Sequence, residues 1–187
     1  MPFAFDEDAE RQFQWLLRRY PTRQAVLLPA FRLAEAQQGC VDDVVEDYLA
    51  ERLELAPSLV RGVRSFYSHY RRPEDGKHVI MVCRTLPCAL RGAAAILAAF
   101  EEHLGIRAGE TTPDGLFTLR KVECLGACAA APAAQINDDY FENLTPEKVR
   151  DIVLALRNGQ PAPHVSGGVF LEAGWQGCRP LVDACPE

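Results

Sequence analysis

The chain has 187 residues, of which 48% are hydrophobic and 25% charged, as in a globular protein with a core of useful size. Its net charge of −6 argues against binding to nucleic acid or to an anionic membrane surface. No apolar run approaches the roughly 18 residues of a membrane span, and the acidic start MPFAFDEDAE is unlike a secretory signal. These features predict a cytoplasmic protein, in which cysteines are more often metal ligands or catalysts than disulfides.

The first 75 residues predict a helical N-terminal domain. The first helix has acidic residues in its first turn and basic residues in its last, which suits the helix dipole. The second is predicted to end at Gly39, and Pro29 either kinks this helix or marks its start. Two more helices follow, and Ser58 is in a position to cap the second of them.

Residues 76–159 predict the element order β-α-β-β-β-α. The stretch KHVIMVC is typical of a short buried strand, and ALRGAAAILAAFEEHLG of a helix. An alternating strand, a hairpin around Asp138 and Asp139, and a helix capped by Thr145 follow. The predicted fold class is therefore α+β, with a helical bundle followed by a thioredoxin-like α/β domain. Residues 160–187, rich in Gly and Pro, are expected to form an extended C-terminal tail.

Four of the seven cysteines form two tight pairs. Cys83 and Cys88 lie in VCRTLPC with four residues between them, and Cys124 and Cys128 lie in ECLGAC with three. Neither pair has the C-x-x-C spacing of a redox dithiol. Each pair follows a predicted strand, so two loops at one edge of the sheet can bring the four thiols together. Thiolates that converge repel each other unless zinc, or iron with sulfide, lies between them, and the spacing alone favours these two centres equally.

The residues around these pairs closely resemble one family. The stretches FYSHY, VCRTLPCALRG, LGIRAGETTPDGLFTL and VECLGACAAAPAAQINDDYFENLTPE are similar to the thioredoxin-like [2Fe–2S] subunit of respiratory complex I, which is the E subunit of NADH:quinone oxidoreductase. The similarity extends over roughly residues 20–159. It implies one [2Fe–2S] cluster bound by Cys83, Cys88, Cys124 and Cys128.

The same resemblance implies an electron-transfer subunit of an NADH dehydrogenase module, which is not catalytic alone. Its partner would be the flavoprotein subunit that binds FMN and NADH, because this chain has no Gly-rich dinucleotide fingerprint. Further subunits of the peripheral arm would also be partners. The complex would hold this chain in the cytoplasm at the inner face of the cell membrane, and the chain itself would not insert into the membrane. Related subunits serve NAD-reducing or bifurcating hydrogenases and NAD-dependent formate dehydrogenases, and these remain alternatives, as does a zinc-stabilised scaffold.

Other residues lie outside the four-cysteine pattern. Arg84 directly follows the first cysteine, and a cation there would favour a reduced, more negative cluster unless the side chain points to solvent. Cys40 is interpreted as a small buried residue of the helical region, and Cys178 and Cys185 as free thiols or anchors of the tail. Pro132 precedes a predicted strand, where thioredoxin-like folds often have a cis-proline.

Overall fold

The computed structural model describes residues 3–163. The described chain divides into two compact units, residues 3–73 and residues 74–163. The tail predicted from residue 160 lies almost wholly outside the described residues, and so do Cys178 and Cys185. Within residues 3–163, no helix has the length and apolar character required to cross a bilayer.

The first unit is helical. Among the residues that the structure describes it contains α1 (Glu7–Arg19), α2 (Arg23–Gln38), α3 (Asp43–Leu53) and α4 (Pro57–Phe66). Apolar residues from all four helices form a single core, whose largest fully buried side chains are Phe13, Leu16, Leu27, Phe31, Leu49 and Leu53. Burial of such side chains stabilises the bundle by roughly 1.5–3 kcal/mol each.

Side-chain capping explains where three of these helices begin. Asp6, Thr22 and Asp42 each accept a hydrogen bond from the backbone N–H three residues further on. The prediction that Ser58 caps α4 is wrong, because Pro57 already occupies the first turn and Ser58 lies inside the helix. The fixed φ of proline starts a helix without a side-chain cap.

The end of α2 is as predicted. Gly39 has a φ of 87°, a left-handed conformation that glycine adopts without steric cost, and its N–H donates to the carbonyl of Glu35. Pro29 lies within α2 and does not mark its start, because the helix begins at Arg23.

The second unit is a four-stranded sheet with helices. Its described elements are β1 (His78–Cys83), α5 (Leu86–Leu90), α6 (Ala93–Leu104), β2 (Phe117–Val122), a 3₁₀ turn (Cys128–Ala130), β3 (Ala134–Ile136), β4 (Asp139–Phe141) and α7 (Pro146–Arg157). Helices α6 and α7 pack together and share one core with the sheet, which includes Ile80, Phe100, Phe117, Leu119 and Ile152.

The strands are in the order β2-β1-β3-β4. β1 is parallel to β2, β3 is antiparallel to β1, and β4 is antiparallel to β3. The predicted α+β class and its element order are confirmed, although the first helix of this unit is divided into α5 and α6. The hairpin turn lies one residue earlier than expected, at Asn137 and Asp138, because Ile136 pairs with Asp139. Thr145 caps α7, and the bond before Pro132 is cis, as expected.

Candidate metal centre

The parallel pairing of β1 with β2 brings the two cysteine-bearing loops to one edge of the sheet. Cys83 is the last residue of β1 and lies opposite Val122, the last residue of β2. Cys124 lies two residues after the end of β2, in the loop that follows this strand. Backbone hydrogen bonds fix this edge: the N–H of Cys83 donates to Ala133 at 3.1 Å, and that of Arg84 to Val122 at 3.1 Å.

The four thiols differ in their exposure. Cys83 and Cys88 are each 2% exposed and pack in a cluster of small side chains, Ala93, Ala131 and Ala133. Cys124 and Cys128, in the second loop, are exposed, and their sulfurs are 3.5 Å apart. The site therefore has one buried pair of sulfurs and one pair that faces solvent.

The sulfurs are grouped as pairs. The sulfurs of Cys124 and Cys128 are in hydrogen-bond contact, and Cys83 and Cys88 lie close enough to shift each other's pKa. The charge of Cys83 also raises the pKa of Cys128. Two sulfurs for each of two irons is the ligand set of a [2Fe–2S] cluster, whereas a structural zinc needs four ligands around one ion.

In the buried pair, the two thiols titrate differently. Burial raises the pKa of Cys83, but hydrogen bonds from the Thr85 hydroxyl and from the N–H groups of Leu125 and Thr85 outweigh it, and the pKa is lowered. Burial raises the pKa of Cys88 to about 11, and the neighbouring thiolate of Cys83 adds to this effect. The two thiols of this pair therefore differ in acidity, with the pKa of Cys83 lowered and that of Cys88 raised.

In the exposed pair, too, the pKa of one thiol is lowered and that of the other is raised. The backbone N–H of Gly126 and the thiol of Cys128 stabilise the thiolate of Cys124 and lower its pKa. The hydrogen bond with Cys124, followed by burial, raises the pKa of Cys128. A metal that takes all four sulfurs as thiolates must therefore displace protons from Cys88 and Cys128.

Two hydrogen-bond donors next to the thiols are provided by small residues. The Thr85 hydroxyl lies 3.3 Å from the sulfur of Cys83, and the N–H of Gly126 lies 3.4 Å from the sulfur of Cys124. Thr85 was not predicted as a site residue from the sequence, although a hydroxyl two residues after a cysteine is a local hydrogen-bonding pattern that could have indicated it. Such donors stabilise negative sulfur, and hence a reduced cluster.

The side chain of Arg84 forms an ion pair. Its Nε is 2.9 Å from Oε1 of Glu123, the residue that precedes Cys124. Both side chains are exposed. Arg84 is thus exposed to solvent, which was one of the two alternatives expected from the sequence, and its charge is paired with that of Glu123.

The remaining cysteine and histidines of the described chain lie elsewhere. Cys40 belongs to the helical unit and is half-buried rather than buried. His69 lies against Tyr70, with ring centroids 4.3 Å apart, and His78 lies against Phe117. These two histidines therefore pack against aromatic rings.

The comparison with protein families decides between zinc and an iron–sulfur cofactor. The sequence matches the model of the family described as thioredoxin-like [2Fe–2S] ferredoxin over residues 13–157. The chain belongs to this family. Both the resemblance stated from the sequence and the expected [2Fe–2S] cofactor are thereby confirmed. The donor set of this thioredoxin-like ferredoxin fits that cofactor, with two cysteine pairs and N–H and O–H donors beside the sulfurs.

Several relatives of this thioredoxin-like ferredoxin have names that refer to NADH dehydrogenases. It is 40% identical to the E subunit of NADH-quinone oxidoreductase from Rickettsia bellii, over 83% of this chain and 95% of the relative. It is 39% identical to NADH dehydrogenase [ubiquinone] flavoprotein 2, mitochondrial, of Dictyostelium discoideum, over 86% of this chain and 66% of the relative. With the E subunit from Mycobacterium bovis the identity is 37%, over 81% of this chain and 60% of the relative.

A solved structure with the same fold is the NAD⁺-reducing [NiFe]-hydrogenase in the air-oxidised state. The TM-score is 0.61 at 22% identity, and the match covers 72% of this chain but only 23% of the hydrogenase chain. At this identity the likeness establishes the fold of the thioredoxin-like ferredoxin and nothing further.

Proposed function

We propose that this protein holds one [2Fe–2S] cluster through Cys83, Cys88, Cys124 and Cys128, and that it is the electron-transfer subunit of an NADH dehydrogenase module of the respiratory complex I type. The observation that carries the proposal is the meeting of two thiol pairs at the adjoining ends of the parallel strands β1 and β2. A bound [2Fe–2S] cluster takes up and releases single electrons. The relatives named as subunits of NADH-quinone oxidoreductase support this setting.

The residues of the chain have distinct parts in this function. The buried pair, Cys83 and Cys88, fixes one side of the cofactor in a water-poor environment. The exposed pair, Cys124 and Cys128, leaves the other side open, so that a redox partner can approach. Donors such as the N–H of Gly126 stabilise the additional negative charge after reduction.

The proposed partner is a flavoprotein subunit that binds FMN and NADH. Two large apolar side chains beside the cluster site support a protein partner: Leu86 is 70% exposed and Leu90 is 78% exposed, on either side of Cys88 in α5. Exposed apolar side chains that lie close together are typical of protein interfaces. We propose that residues 76–159 carry the cluster, and that the helical residues 1–75 add to the docking surface.

The proposed location follows from that of the complex. The subunit would lie in the cytoplasm, at the inner face of the cell membrane, held there by other subunits of the peripheral arm. A second candidate, which the resemblance of the sequence leaves open, is the equivalent subunit of an NAD-reducing or bifurcating hydrogenase or of an NAD-dependent formate dehydrogenase. Both candidates place the same cluster beside a flavin and differ in the final electron acceptor or donor.

Metal analysis tests the cluster. The protein purified without oxygen should contain about two irons and two acid-labile sulfides per chain, and it should give an EPR signal after reduction by dithionite. The variants Cys83→Ser and Cys124→Ser should lose iron or change this signal, whereas the control Cys40→Ser should not. One zinc per chain and no EPR signal would reject the proposal in favour of a zinc-stabilised scaffold.

Purification from the native source tests the partner. A flavoprotein subunit together with membrane-embedded quinone-reducing subunits is the result expected for a complex I module. A hydrogenase or formate dehydrogenase large subunit would reject complex I and leave the cluster assignment intact.

A further inference from the structure

One peptide group lies between a tyrosine and a proposed cluster cysteine. The hydroxyl of Tyr140 donates a hydrogen bond to the carbonyl oxygen of Leu125 at 3.1 Å. The N–H of Gly126 lies 3.4 Å from the sulfur of Cys124. That carbonyl and that N–H belong to the same peptide group, so the two hydrogen bonds are in series.

Gly126, which donates this N–H, has a left-handed backbone conformation. Its φ is +84°, a left-handed conformation that residues with a Cβ rarely adopt, and a Cβ added there would meet no atom within 4 Å. Backbone conformation, and not lack of space, is therefore the reason for a glycine at this position.

Tyr140 is anchored to act on this peptide. It lies in β4 opposite Gln135 of β3, and so belongs to the sheet and not to the cysteine-bearing loop. Burial raises the pKa of its hydroxyl, and the neighbouring thiolate of Cys124 raises it further. The hydroxyl thus keeps its proton over the neutral pH range and remains a donor.

We propose that Tyr140 is a positioning residue for the cluster, which raises its reduction potential through the Leu125–Gly126 peptide. Hydrogen bonds in a chain polarise one another, so a donor at the carbonyl strengthens the N–H bond to sulfur at the other end. Reduction adds negative charge to the cluster, and a stronger N–H to sulfur bond stabilises the reduced state. This inference rests on the proposed function, because it takes Cys124 as a cluster ligand.

The test compares two tyrosine-to-phenylalanine variants that each remove one hydroxyl-to-carbonyl hydrogen bond. Tyr140→Phe removes the bond to Leu125, and the control Tyr70→Phe removes a bond of 2.8 Å to Leu28 in the helical unit. EPR-monitored titration of the purified, cluster-containing proteins should give a more negative midpoint potential for Tyr140→Phe only. The N–H proton beside Cys124 should also show a weaker hyperfine coupling in Tyr140→Phe, measured by ENDOR with and without exchange into deuterium oxide.

A second substitution keeps the ring and changes the strength of the donor. Incorporation of 3-fluorotyrosine at position 140 makes the hydroxyl more acidic and hence a stronger donor, so the potential should move to a less negative value. This opposite sign is not expected if Tyr140 only packs against the loop. It also provides the test if Tyr140→Phe does not fold.

The outcomes separate this inference from the proposed function. If the unmodified protein contains no [2Fe–2S] cluster, the proposed function fails. If it contains the cluster, and neither substitution at Tyr140 changes the potential or the proton coupling, the inference is overturned and the proposed function stands.

Discussion

Arg84 and Glu123 form an ion pair across the two cysteine-bearing loops, one residue after Cys83 and one residue before Cys124. The pair joins the ends of β1 and β2 from side chains 39 residues apart. Because both side chains are mostly exposed, water and salt screen their interaction, and its contribution to stability is small. Its consequence for the cluster is electrostatic, since the carboxylate of Glu123 largely balances the cation of Arg84.

We expect single substitutions of this pair to shift the midpoint potential in opposite directions. Arg84→Ala leaves an uncompensated carboxylate beside Cys124 and should lower the potential, whereas Glu123→Gln leaves a cation and should raise it. The interaction of an exposed charge with the cluster should amount to about 1 kcal/mol or less, so each shift of the midpoint potential should be on the order of tens of millivolts. EPR-monitored titration measures both shifts.

The double variant Arg84→Ala/Glu123→Gln is the control for this prediction. It removes both charges, so its potential should lie close to that of the unmodified protein, and the single shifts should decrease at high salt. Single variants that both shift the potential in the same direction would show that changes of structure, not charge, dominate.

We expect a charge at Leu90 to weaken docking to the flavoprotein partner. Leu90→Glu places a carboxylate in the apolar surface beside Cys88, and burying an unpaired charge in an interface is costly. Affinity purification should recover at least about tenfold less flavoprotein subunit, which corresponds to about 1.4 kcal/mol. The EPR spectrum should not change.

Leu154→Glu serves as the matched control for docking. Leu154 is 51% exposed on α7 and provides an apolar side chain of the same kind. Equal recovery of the flavoprotein with Leu90→Glu and with the unmodified chain would exclude α5 from the interface.

The backbone at Gly76 should tolerate no side chain. A Cβ added there would lie 2.8 Å from the carbonyl oxygen of Gly115 and 2.9 Å from the nitrogen of Phe117, and backbone atoms cannot easily move. Gly76→Ala should therefore reduce the free energy of unfolding of the cluster-bearing unit by about 1–3 kcal/mol.

The control is Gly62→Ala in α4, where an added Cβ would have no atom within 4 Å. This variant should be neutral or stabilise its helix by up to about 1 kcal/mol. Thermal unfolding of both variants measures these changes. An equal loss of stability in Gly76→Ala and Gly62→Ala would contradict the prediction.

The ion pair between Glu10 and Arg52 should make the stability of the helical unit depend on pH. Its bidentate hydrogen bonds, 2.9 Å and 2.6 Å long, hold the pKa of Glu10 below its ordinary value. A lowered pKa in the folded state contributes stability that is present above about pH 4.3 and is lost as the pH falls through the folded value. Because both side chains are about a third exposed, we expect Glu10→Gln to cost only about 0.5–1 kcal/mol at pH 7.

Urea unfolding at two pH values checks this sign. The difference between Glu10→Gln and the unmodified protein should be present at pH 7 and nearly absent at pH 3. Asp8→Asn is the control, because its ion pair with Arg11 is more than two-thirds exposed and should contribute nothing measurable. A difference that grows as the pH falls would contradict the prediction.

The elements and the family could be predicted from the sequence because their signals are local. Gly39 ends α2 through its own backbone conformation, and Thr145 starts α7 through its own side chain. The motifs around the four cysteines are contiguous in the sequence. The prediction for Ser58 is wrong because Pro57, its neighbour, starts the helix first. The sequence could not reveal the ion pair of Arg84 with Glu123, or the contact of Tyr140 with Leu125. Both depend on how strands lie beside each other, and they join residues 39 and 15 positions apart.

The parallel arrangement of β1 and β2 has a consequence for the biogenesis of the site. Parallel neighbours cannot be joined by a hairpin, so the chain must complete α5 and α6 and return before the second strand can pair. During synthesis, Cys83 and Cys88 are added to the nascent chain before Cys124 and Cys128. The four sulfurs can meet only after this crossover has closed, so one cluster can be bound by all four cysteines only once the second strand and the loop after it have been made.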